Sequence, residues 1–176
     1  MTIIYDLPEL WDAKSRATIE LAGPQVVGTA LMPYTGLDAA ASFEAVMGEM
    51  YVRFTSDLTT HALALWGGIR FQNSEVITLP LVVHEMGHLF SVRAKNKPTK
   101  QMWIDRNKIP LAISWPGMHP PSIAKYNIVE RFCNAWEVWV MELYAQNANG
   151  MTPAGRALRT WFATHMGEWV KIAIGG

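Results

Sequence analysis

Residues 84 to 88 read His-Glu-Met-Gly-His. On an α-helix, side chains four residues apart lie on one face, one turn above the other, so His84 and His88 can aim two imidazoles at a single point. A zinc ion ~2.0–2.1 Å from each nitrogen fits that spacing. Glu85 projects from a neighbouring face, close enough to take a proton from a metal-bound water without being a ligand itself. With five His in 176 residues, the pattern arises by accident in on the order of one such sequence in a hundred. The bland alternative is a buried helix with two incidental histidines, each bonded to backbone.

Two histidines leave a catalytic zinc site incomplete, because such an ion takes three protein ligands and keeps a fourth position for water. The three-histidine pattern H-E-x-x-H-x-x-G-x-x-H is excluded, since Ser91 stands at its Gly and Ala94 at its last His. The downstream candidates are His119, Glu130, Glu137 and Glu142. Glu130 opens a Trp-rich helical stretch, where a charge facing a core needs a metal or an ion-pair partner. Glu137 and Glu142 also suit a solvated helix face.

The pairing of HEMGHLF with the later ERFCNAW resembles the gluzincin peptidases, particularly the compact catalytic domains of the anthrax lethal factor and Pro-Pro endopeptidase type. In that group the ligand Glu opens a stretch of the form E-x-F-A-x-A-F. Here Glu130, Phe132, Cys133 at the small-residue place, Ala135 and Trp136 match it. The resemblance implies a zincin-like fold and a zinc-dependent endopeptidase, with His84, His88 and Glu130 on the metal and Glu85 as general base. It also implies an oxyanion-stabilising tyrosine shortly before the ligand Glu, a place held by Tyr126. It covers about residues 60–145 and has one departure: Asn134 stands where the family often carries a second acidic residue that supports a ligand histidine.

These side chains need elements to position them. Thr78 can cap a helix that starts at Leu79-Pro80, where proline's missing N–H has no intrahelical partner anyway, and that runs through HEMGH. A second helix is predicted from Tyr126 to Gln146, and a third from Pro153 to about Ile174. Phe43, Val46, Met47, Met50, Tyr51 and Phe54 recur at three- and four-residue steps, which predicts a helix between Leu37 and Phe54. His61 to Phe71 suits one strand or two short ones. Trp66 to Asn73 is expected to be an edge strand on which an extended peptide docks, with Gly67 and Gly68 allowing close approach. Gly23-Pro24, the region of Pro33, and Gly67-Gly68 read as turns.

With half of its residues apolar and 17% charged, the chain has the composition of one globular domain. The expected class is α+β, a mostly helical domain with a small sheet before the metal helix. Residues 1–60 are read as an N-terminal helical region, 61–146 as the catalytic core and 147–176 as a C-terminal helix. Acidic and basic residues cancel at fifteen each, which argues against nucleic acid or anionic membrane as partner and leaves a peptide or protein substrate. Residues 1–88 nonetheless carry a net −6 and residues 89–176 a net +6. The basic group Arg93, Lys95, Lys97, Lys100, Arg106 and Lys108 reads as a solvated loop before it reads as a steering patch.

Cys133 is the only cysteine, which excludes an intramolecular disulfide and suits a small core residue more than a nucleophile. His61 and His165 read as core or surface residues. Neither an export leader nor a membrane-length apolar run is evident, so the default compartment is cytoplasmic. Two other classes fit the same residues: a zinc-binding regulatory or toxin-associated module without peptidase activity, and a metal-free helical interaction domain using its Trp and Met surface.

Overall fold

The computed structural model describes residues 3–65, 67–106, 115–118, 127–145 and 151–175. The fold is α+β: four short strands form one mixed sheet, all of them before the HEMGH helix, and helices supply most of the remaining structure. Strand β1 (Ile3–Tyr5) is followed by α1 (Ala13–Glu20), a π-helical segment (Leu21–Val27), α2 (Gly28–Thr35) and α3 (Ala39–Met47). Next come β2 (Met50–Phe54), β3 (Ala62–Leu65) and β4 (Gly68–Phe71). Helices α4 (Leu79–Arg93), α5 (Lys97–Asp105), α6 (Ile128–Val140) and α7 (Pro153–Gly175) complete the described chain.

The sheet order is β1-β2-β4-β3, with β1, β2 and β4 parallel and β3 antiparallel to β4 at the edge. This corrects two expectations. The helix predicted from Leu37 to Phe54 ends at Met47, because Gly48 turns the chain with φ 60°. Residues 50–54 continue as a strand instead. Met50 and Val52 are buried while Tyr51 is exposed, the alternation of a pleated strand, and the same apolar residues had also satisfied helical spacing. The N-terminal region is therefore not wholly helical, since it contributes β1 and β2.

The second correction concerns the Trp66–Asn73 stretch. Its strand, β4, lies inside the sheet between β2 and β3; the edge strand beside it is β3, which also packs on α4. Gly68 does serve a close approach, but the approaching backbone is β2, whose Tyr51 oxygen would lie 2.5 Å from an added Cβ. Gly23-Pro24 and Pro33 are not turns either: the first lies in the π-helical segment and the second inside α2. Wide π turns tolerate the missing proline N–H better than a regular ladder does.

The core is aromatic where α4, α6 and α7 meet. Phe90 stacks on Trp136, and Trp139 stacks on Phe162, each with ring centroids 4.7 Å apart. Helix α7 follows its predicted span to within a residue, with Leu158, Trp161, Phe162 and Trp169 buried at helical spacing. No described helix is long and apolar enough to cross a membrane.

Candidate metal centre

Helix α4 begins as the sequence predicts. The Thr78 hydroxyl accepts from the Leu81 N–H at 3.4 Å, and Pro80 sits in the first turn. Ten of its fifteen residues are buried, including His84 and Glu85. Helix α6 is capped by Asn127, whose Oδ1 accepts from the Val129 N–H at 2.9 Å, and Glu130 therefore stands in its first turn. The helix stops at Val140, short of the predicted Gln146; Glu142 at φ 51° and a 3-10 turn over Leu143–Ala145 follow.

Two contacts hold α4 and α6 close. The Trp136 indole N–H donates to the Val83 carbonyl at 3.1 Å, the carbonyl of the residue just before His84. A Cβ on Gly87 would meet Trp136 Cδ1 at 2.8 Å, so only glycine leaves room for the indole there. With the helices at this separation, the polar face of α6 (Glu130, Cys133, Asn134 and Glu137, at steps of three and four) meets the HEMGH face.

Glu130 reaches both histidines. Its Oε2 lies 3.2 Å from His84 Nε2, and its Oε1 lies 3.3 Å from His88 Nε2. Two atoms bound ~2.0–2.1 Å from one zinc at the tetrahedral angle stand about 3.3 Å apart. Glu130 thus bridges the two imidazoles, one carboxylate oxygen to each, at separations close to that value. Glu137, fully buried, approaches the same imidazole from its other side, with Oε2 3.6 Å from His84 Nδ1. The two carboxylates thus flank the His84 ring, Glu137 on its Nδ1 side and Glu130 on its Nε2 side.

The charge pattern fits a cation as well. Burial opposes protonation of both imidazoles, but the acidic neighbours outweigh it: Glu130 and then Glu137 raise His84. Burial is likewise outweighed at His88 by the Cys133 sulfur, Glu130 and Glu85, which push it up to about 11. In return His84 and His88 hold the Glu130 carboxyl well below the usual carboxylate range. Without metal, protons therefore collect where a divalent ion would balance the same carboxylates. Glu85 is buried beside this group and acts on both imidazoles.

Cys133 is the residue whose position the sequence reading understated. It is a buried core residue, as expected, but a ring nitrogen of His84, one of His88 and the Cys133 sulfur all lie within 4.8 Å of one another. Burial pushes its thiol up to about 11, with His88 opposing. The i, i+3 relation between Glu130 and Cys133 was the available signal.

Of the other candidates, Glu142 is exposed beyond the end of α6. His119 and Tyr126 lie outside the described residues. His61 is exposed, and His165 stacks on Trp169 with its Nε2 3.5 Å from Asp105, tying α7 to α5. Arg93 donates to the Glu49 carbonyl at 3.3 Å, Lys97 pairs with Glu168, and Arg106 lies 4.1 Å over the Trp103 ring. Three of the six basic residues are thus engaged locally; Arg93, Lys97 and Lys100 lie on α4 and α5 rather than in a loop, and Lys108 lies outside the described residues. No protein-family model matches the chain, and no curated protein or solved structure is significantly similar to it.

Proposed function

We propose that the chain is a zinc-dependent endopeptidase in which His84, His88 and Glu130 hold the ion and Glu85 is the general base. The observation that carries this reading is the Glu130 carboxylate meeting the Nε2 atoms of His84 and His88 at 3.2 and 3.3 Å, with Glu85 buried alongside. When bound, zinc supplies a Lewis acid that polarises the scissile carbonyl and acidifies a water.

The chain's own residues then divide the remaining work. Glu130 offsets part of the metal's charge and fixes its place relative to α4. Glu137, 3.6 Å away on the Nδ1 side of the His84 ring, would fix the tautomer that leaves the Nε2 lone pair for the ion. Glu85 takes the proton of the attacking water and delivers it to the leaving amine, without a covalent intermediate. The unpaired side of β3 is the sheet edge nearest α4 and can align an extended peptide by strand addition. Tyr126, four residues before Glu130, is assigned the oxyanion contact that the gluzincin resemblance implies.

The test is Glu85→Gln. This variant is expected to bind zinc one to one, as the native protein does, while losing cleavage of a mixed peptide library by at least about a hundredfold, the lower range for a general base. Full activity in it would falsify the assigned base. A second reading is a zinc-holding regulatory module without turnover, and the specific observation favouring it is the Cys133 sulfur beside the histidines. Metal bound by the native protein with no peptide cleaved supports that reading instead.

A further inference from the structure

We infer that Cys133 is a fourth protein ligand, so that the resting centre is a closed His84–His88–Glu130–Cys133 set and water gains the metal only when the sulfur leaves it. The inference rests on the metal-binding reading above, and deepens it by making the site latent.

The placement is a matter of backbone, rather than of one flexible rotamer. Glu130 and Cys133 lie three residues apart on α6, hence on one face, and that face is pressed to α4 at Gly87. A Cβ on Gly87 would come within 3.4 Å of the Cys133 Cα itself. The sulfur is fully buried and shares a space no more than 4.8 Å across with a ring nitrogen from each histidine. Zinc takes thiolates readily, and its bond to sulfur, about 2.3 Å, is longer than that to nitrogen or oxygen. A set of four such donors is the tetrahedral, closed type of site, whereas a catalytic site keeps one position for water.

The neighbourhood of the sulfur is polar, unlike that of an ordinary core cysteine. Asn134, next in sequence and 1% exposed, has neither atom of its amide hydrogen-bonded among the described residues. Buried amides are ordinarily hydrogen-bonded, so an unpaired one here sets this stretch of α6 apart from a purely apolar core. When the ion arrives the S–H bond breaks, the metal–sulfur bond forms, and the thiol proton passes to bulk water. Return of that proton with loss of the sulfur bond reverses the step, and no oxidant or reductant is required.

The full chain loaded with Co2+ in place of zinc gives a direct readout, because a thiolate ligand adds a near-ultraviolet charge-transfer band. That band is expected in the native protein and absent from Cys133→Ser and Cys133→Ala, both of which should bind metal at least about tenfold more weakly. X-ray absorption of the native zinc protein is expected to show one sulfur at about 2.3 Å, a measurement independent of whether the variants fold. Metal bound through nitrogen and oxygen alone, with no charge-transfer band, overturns the fourth ligand while leaving the three-ligand site standing. Failure of the native protein to bind either metal defeats both readings.

Discussion

Glu137 and Glu130 contact opposite nitrogens of the same imidazole, and this separates two carboxylates that look alike in sequence. A carboxylate behind a ligand histidine fixes its tautomer and ring orientation, and its loss typically weakens metal binding 10- to 100-fold. Glu137→Gln should therefore fall in that range when titrated with zinc against a chromophoric chelator, whereas unchanged affinity would remove the orienting role. Asn134 stands where the gluzincin resemblance leads one to expect an acid, and Glu137, one turn later on the same face, supplies a carboxylate to His84. Residue type and spacing alone could not divide these duties, because both carboxylates lie on the side of α6 that meets α4.

At the scale of elements, the contact between α4 and α6 depends on one small residue and one large one. Adding a methyl group at Gly87 forces Trp136 to shift, since its Cδ1 lies only 2.8 Å from the new atom. Gly87→Ala is expected to cost about 1–3 kcal/mol in denaturant unfolding and to weaken zinc binding by spreading the ligand helices. Trp136→Ala should cost more, about 3–5 kcal/mol, because it leaves a cavity and also frees the Val83 carbonyl. The start of helix α4 was legible in sequence, from the Thr78 cap to the shared face of His84 and His88, because capping and period are local properties. The sheet was less so. Met50 to Phe54 satisfied helical steps, and only pairing with β1 and β4, which are distant in sequence, decides that they form a strand. Which strand forms the edge was equally hidden, since that depends on strand order rather than on any single segment.

For the whole molecule, the metal is expected to act as a clasp between two halves of opposite charge. At zinc 100-fold above its dissociation constant the native state gains about 2.7 kcal/mol, or about 5–10 °C in melting temperature for a chain of this length. The gain should depend on pH with a definite sign. In the metal-free protein Glu130 is depressed, so its contribution is present above its ordinary value of 4.5 and lost as pH falls below it. His84 and His88 are raised, so theirs is complete below 6.5 and is lost as pH climbs toward about 11 for His88. The metal-free cage therefore contributes most between 4.5 and 6.5. Zinc requires neutral imidazoles, and so the gap between melts with zinc and with chelator should widen from about pH 5.5 to pH 8. A gap of constant size would contradict imidazole ligation. Strand order carries a consequence for how the molecule assembles. Only β3 and β4 are joined by a tight connection, Leu65 facing Gly68, whereas β1 must find β2 across the whole α1–α3 arm, Ile3 beside Met50. The hairpin can close in microseconds, while the parallel pairs must wait for that long loop to be ordered. In pulsed hydrogen exchange during refolding, β4 amides bonded to β3 should gain protection before those shared by β1 and β2. Helix α4, with the proposed ligands His84 and His88, follows the hairpin directly in the chain, so that part of the molecule has a local template before the amino-terminal strand docks.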